Sequence, residues 1–145
     1  MIGSVHAPHT VEEKAKTYPA SPSGMPGVLT LVPLFLNHVA EGRLTLQRFI
    51  DMTSAGPQRI FGLVGKGRIA LGYDADFTVV DLKKRWQVGP EWLASCCGWS
   101  PFEGDMLTGK AIGTIIRGHR VMWEDTLSND AIGEPVRFEA TEFRS

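Results

Sequence analysis

Gly65-Lys66-Gly67-Arg68-Ile69-Ala70-Leu71-Gly72-Tyr73-Asp74-Ala75-Asp76-Phe77-Thr78-Val79-Val80 is where the chain changes character. Glycines recur through it, and the apolar residues fall to a period of two, the spacing of a strand whose side chains alternate between faces. Arg68-Ile69-Ala70 predicts a short strand, Gly72-Tyr73-Asp74-Ala75 a turn, and Phe77-Thr78-Val79-Val80 a β-branched strand. Asp74 and Asp76 suit that turn through side-chain to backbone bonds, a structural role. Trp86 and Val88 predict another strand beyond the basic run Lys83-Lys84-Arg85. Further on, residues 112–117 and 120–124 flank Gly118-His119. A glycine first in a two-residue loop predicts a type II′ hairpin. Residues 128–145 carry Pro135 and no sustained period, which predicts a surface tail.

Upstream of Gly65 the pattern is helical. Apolar residues are nearly continuous over 28–39, Leu31, Leu34, Phe35 and His38 fall on helical spacing, and Gly42 is a stop, so a mostly buried helix is expected. Thr45 is placed to cap a second helix with Leu46, Phe49, Ile50 and Met52 toward one face, ending near Ser54. Ser54-Ala55-Gly56-Pro57 predicts a break, with Pro57 near the first position of a short helix that Gly62 closes. Earlier still, Pro8, Pro19, Pro22 and Pro26, with Gly24 and Gly27 among them, exclude a long regular element. Residues 6–27 are therefore expected to form a loop, and long ordered loops are usually functional.

Composition narrows the classes. The 145 residues can build one domain with a real core, because a chain of this size buries roughly 70% of its unfolded surface. A formal net charge of −1 exerts no general pull on phosphate backbones, so nucleic acid is not an expected partner. The cluster Lys83-Lys84-Arg85 reads as a solvated strand end. No apolar run approaches the roughly 20 residues that span a bilayer, and residues 1–10 hold neither a basic nor an apolar signal region, so a cytoplasmic location is expected. Cys96 and Cys97 are neighbours and match no zinc knuckle, which predicts free thiols. Trp86, Trp92, Trp99 and Trp123 are expected to pack rather than bind. His38 and His119 fall in the helix and hairpin patterns and are expected to be structural or exposed.

His6-Ala7-Pro8-His9, followed by Glu12-Glu13-Lys14 and then Ser23-Gly24-Met25-Pro26-Gly27, resembles the segment around the last barrel strand of dihydroorotases, members of the cyclic amidohydrolase superfamily. Ser54-Ala55-Gly56-Pro57, Lys66-Gly67-Arg68-Ile69, Gly72-Tyr73-Asp74-Ala75-Asp76, Cys97-Gly98-Trp99-Ser100-Pro101-Phe102 and the 113–124 hairpin extend the resemblance over nearly the whole chain. Hydantoinases and allantoinases share the glycine motifs, whereas the His-Ala-Pro-His run with the Gly-Met-Pro-Gly loop favours dihydroorotase. The resemblance implies an α/β fold. Residues 1–64 would be a carboxy-terminal fragment of a (β/α)8 barrel, 65–127 a small β unit of the accessory β-sandwich domain, and 128–145 the tail.

In that family the metal site sits at the carboxy-terminal ends of the barrel strands. A zinc-bound hydroxide attacks the cyclic amide, and an aspartate ending the last strand is general base and acid. That aspartate would stand immediately before His6, where this sequence has Val5, which can neither ligate a metal nor accept a proton. The resemblance also places an early His-x-His pair, a modified lysine and two further histidines on strands that 145 residues do not contain, since a whole barrel needs about 250. It therefore implies zinc in the full-length family but no catalytic or metal-ligating residue here. His9 matches the histidine that hydrogen-bonds the substrate carboxylate, Pro26 and Gly27 match the loop that holds the ring amide, and His6 is positional.

Three readings are open at this point. The chain is part of an enzyme acting on dihydroorotate in pyrimidine synthesis, or a non-catalytic subunit beside aspartate transcarbamoylase or another copy of itself, or a β-rich product without selected function. Val5 favours the second. Under the third, helices made to pack on a barrel would expose apolar faces, residues 28–35 first.

Overall fold

A computed structural model describes residues 1–130 and 132–139. Helix α1 (Val11–Lys14) is one turn within the proline-rich segment, closed by a capping box between Thr10 and Glu13. Helix α2 (Val28–Ala40) matches its expected span, and its buried residues Thr30, Pro33 and Leu36 recur every third position along one face. Pro33 removes one intrahelical hydrogen bond without ending the helix.

Helix α3 (Leu46–Ile50) starts as expected, with the Thr45 hydroxyl accepting from the Arg48 amide at 3.2 Å. The break expected at Ser54 does not occur. A π-helical turn over Asp51–Ala55 carries the chain straight into α4 (Gly56–Phe61), and the Gly56 amide closes the wide turn on the Asp51 carbonyl. A Cβ at Gly56 would stand 2.6 Å from that carbonyl oxygen, so the glycine that suggested a break is what lets the wide turn form. Gly62 ends α4 in the left-handed conformation, as expected.

Four strands follow, β1 (Phe77–Gln87), β2 (Met106–Ile116), β3 (His119–Trp123) and β4 (Thr126–Leu127), hydrogen-bonded in that order. Three expectations fail here. Residues 68–70 form no strand, because Gly67 and Gly72 both take positive φ and turn the chain on either side, leaving Ile69 and Leu71 exposed. Trp86 lies in β1 itself, which runs unbroken through Lys83-Lys84-Arg85, so the basic run is mid-strand rather than at an end. The hairpin loop is Arg117-Gly118, with Ile116 opposite His119 and positive φ at both loop residues, the pattern of a type I′ turn. A register shift between Thr114 and Ile115 marks a bulge in the hairpin.

The chain gathers into two compact units. One comprises Met1–Ile2, Thr45–Val80 and Ile112–Ser145. In it Gly113 makes room for the Trp123 ring, 2.5 Å from where a Cβ would stand. The expected tail falls partly on residue 131 and residues 140–145, outside the described residues; its described part is exposed apart from a half-buried Ile132, yet paired, the Val64 amide donating to the Arg137 carbonyl and the Glu139 amide to the Gly62 carbonyl. The second unit comprises Gly3–Leu44 and Asp81–Ala111. There β2 passes over α2 at Gly109, where a Cβ would stand 2.6 Å from Leu36 Cβ, and the Thr108 amide donates to Asn37 Oδ1 at 2.9 Å. Val88 and Leu36 form its buried centre, and Trp86 packs edge-on against Trp92 with centroids 4.7 Å apart. Cys96 and Cys97 are free thiols.

Candidate functional site

The second unit brings the two singled-out loop segments side by side. His6 and Met25 form a parallel bridge, and the Ala7 amide donates to the Met25 carbonyl at 2.9 Å. Glycine makes this approach possible at two points. A Cβ at Gly24, whose φ is +102°, would stand 2.5 Å from Ala7 Cβ, and one at Gly27 would stand 2.6 Å from the Ser4 carbonyl oxygen. Lys14 closes the intervening loop by donating to the carbonyls of Pro22 at 2.8 Å and Gly24 at 3.1 Å.

His6 is a receiver. Its Nδ1 accepts from the amides of Gly27 at 3.1 Å and Val28 at 3.3 Å, so that nitrogen bears no proton and the ring is the Nε2–H tautomer. Pro26 and Gly27 are buried, and the Gly27 carbonyl accepts from the Thr30 hydroxyl.

His9 is held differently. Its side chain is 39% exposed, with Nδ1 3.4 Å from Glu13 Oε2, and its backbone carbonyl accepts from Trp99 Nε1 at 2.8 Å. The Thr10 amide holds the Glu13 carboxyl below the ordinary carboxylate range; burial opposes it, and the contact with His9 adds a lesser lowering. A half-exposed imidazole whose backbone is fixed by the indole can present a ring N–H donor to an anionic ligand. Sequence reasoning misses two contributors to this site. By sequence Trp99 is a packing residue and Lys14 only part of a motif, because hydrogen bonds spanning 90 residues, or 8 and 10 across an irregular loop, leave no periodic signal.

Val5 is 82% exposed and has φ of +45°, a conformation that costs a β-branched residue of order 1–3 kcal/mol and that Asp or Asn adopts more readily. The residues present do not fit a zinc ion. Val5 offers no donor, His6 Nδ1 is engaged by two amides, and among the described residues no three His, Cys, Asp or Glu side chains group to hold a metal.

A second polar cluster lies in the first unit. Lys66 Nζ contacts Asp74 Oδ2 at 2.8 Å and also Asp76, whose other oxygen accepts from the Arg117 amide at 2.8 Å. It borders a depression of about 280 Å³, but its charges close on one another.

The model of the amidohydrolase family matches residues 25–121. The chain belongs to that family. Curated dihydroorotases are similar to it in sequence. That of Pyrococcus furiosus is 43% identical over 94% of this chain and 32% of its own length. That of Methanothermobacter thermautotrophicus is 44% identical over 84% of this chain and 28% of its own. This chain thus spans about a third of the curated relatives it matches. Among solved structures, a D-hydantoinase (dihydropyrimidinase) from a Thermus species superimposes with a TM-score of 0.77 at 29% identity, covering 86% of this chain and 28% of that one. The α/β amidohydrolase architecture expected from the motifs is therefore present, and the resemblance to dihydroorotases holds. Among the described residues no helix is long and apolar enough to cross a membrane.

Proposed function

We propose that this chain forms the substrate-facing end of a dihydroorotase-type cyclic amide hydrolase. The single observation that supports it most is the joining of the His6 and Met25 segments, which sets His9 and the Pro26-Gly27 loop into one unit. His9 would donate to the ring carboxylate, with Glu13 beside its ring and Trp99 fixing its backbone. Gly27 would act through close approach rather than through its amide, which His6 occupies. In this reading residues 1–64 close the barrel, 65–127 belong to the accessory β domain, and 128–145 are the tail. Zinc would be held by donors on the family's earlier strands, in a soluble, cytoplasmic enzyme.

The test is a chimera in which this chain replaces the matching third of the Pyrococcus furiosus dihydroorotase. With Val5 it should hydrolyse dihydroorotate negligibly; Val5→Asp should raise the rate about 10²–10⁴-fold, the usual contribution of a positioned acid-base group. A folded Val5→Asp chimera that turns over hydantoin or allantoin but not dihydroorotate would transfer the proposal to those enzymes.

Val5 supports a second reading, a non-catalytic dihydroorotase-like subunit beside aspartate transcarbamoylase. Co-purification with that enzyme, and a mass exceeding the monomer's under dilute conditions, would support it; a solitary monomer would remove it.

A further inference from the structure

Helix α2 begins without a side-chain cap of its own. Its N-cap residue is Gly27, which can offer no oxygen to the orphan amides of the first turn. Yet two amides at this end, those of Gly27 and Val28, are both satisfied by one nitrogen 21 and 22 residues away in sequence, His6 Nδ1. A side chain long enough to carry a cap could not sit at position 27 itself, because a Cβ there would meet the Ser4 carbonyl at 2.6 Å. The close approach that excludes a local cap is the same approach that brings His6 within reach.

We propose that His6 is the remote N-cap of α2 and thereby a positioning residue, locking the start of that helix and the Pro26-Gly27 loop to the segment that carries His9. Two contacts make the lock at this point: the His6–Met25 bridge, closed by the Ala7 amide on the Met25 carbonyl, and the imidazole on the helix start. The first is a backbone contact that any residue at position 6 could support. The second depends on an unprotonated acceptor one bond beyond Cγ, which asparagine reproduces with Oδ1 and leucine does not. What the locked loop does for a substrate rests on the dihydroorotase-type reading; the cap does not.

Amide hydrogen exchange on the full 145-residue chain tests it. In His6→Leu the protection of the Gly27 and Val28 amides should fall about three- to tenfold, the equilibrium change one hydrogen bond supports, and His6→Asn should retain most of it. The Thr108 amide, held by Asn37 in the same unit, reports whether that unit stays folded. If Thr108 also exchanges fast in His6→Leu but not in His6→Asn, the acceptor is needed for the whole unit and the proposal stands. Unchanged protection in His6→Leu, or equal loss in both variants, overturns it. An inactive Val5→Asp chimera would remove the substrate reading and leave these amide results standing, so the two failures are distinguishable.

Discussion

The His6–Gly27 clamp and the Lys66–Arg117 junction are both polar clusters built across chain segments, and they treat charge in opposite ways. In the clamp a ring nitrogen accepts from backbone amides and a lysine donates to backbone carbonyls, while the His9–Glu13 pair stays near the surface. In the junction an ammonium only 15% exposed contacts two carboxylates, and one of these also takes the Arg117 amide. Charge closed on its own partners braces a fold. Charge left half-exposed, on a backbone that other bonds hold still, is free to meet a ligand.

The comparison breaks first at glycine. Gly24→Ala should destabilise the chain by roughly 2–4 kcal/mol in chemical denaturation, since the new methyl meets both an unfavourable φ and the Ala7 side chain. A loss below about 0.5 kcal/mol would show that the clamp is not tightly closed.

The junction should respond to charge and pH instead. Lys66→Met should cost about 1–2 kcal/mol, modest because the partnering carboxylates are about a third exposed. Burial pushes the Asp76 carboxyl up, but Lys66 and the Arg117 amide together outweigh it and hold it below its ordinary 3.8. A lowered folded value gives stability that is present above the ordinary value and lost as pH falls through the folded one. Hydrogen bonds to Asp74 and then Asp76 raise Lys66 above its ordinary 10.5, giving stability present below that value and lost as pH rises through the folded one. The melting temperature should therefore fall below the ordinary carboxylate range and again in strong alkali. Both slopes should flatten in Lys66→Met, and identical slopes in the two proteins would remove the junction as their source.

The smallest effect sharpens the comparison at the site. Trp99→Phe keeps most of the ring but deletes the donor to the His9 carbonyl, and should cost about 0.5–1.5 kcal/mol. A shift in the imidazole resonances of His9, with those of His119 unmoved, would mark the loss as local. Unmoved His9 resonances would show that the indole does not help to place that ring.

Legibility in the sequence followed the range of the interactions. Helix α2 and the caps at Thr45 and Gly62 were readable because periodicity and capping act within a few residues. The hairpin was readable as a hairpin, but its loop is displaced by one residue because Arg117, which has no intrinsic liking for positive φ, adopts it ahead of Gly118. The continuous helix at Ser54–Pro57 was hidden, since Gly-Pro signals a break equally well as a π-helical turn. At the site, the sequence singled out His6, His9, Pro26, Gly27 and Val5 through their resemblance to a family motif. It did not show that His6 serves two amides or that Trp99 holds His9.

By itself, then, the sequence determined the family, the helical and strand periods, and the absence of a carboxylate at position 5, because each is a property of residue type and short spacing. Tertiary structure alone decided which nitrogen meets which amide and which charges are closed on partners. Those contacts join residues as far as 21 and 90 positions apart, and their geometry is set only when glycines at 24, 27 and 109 let the backbones approach.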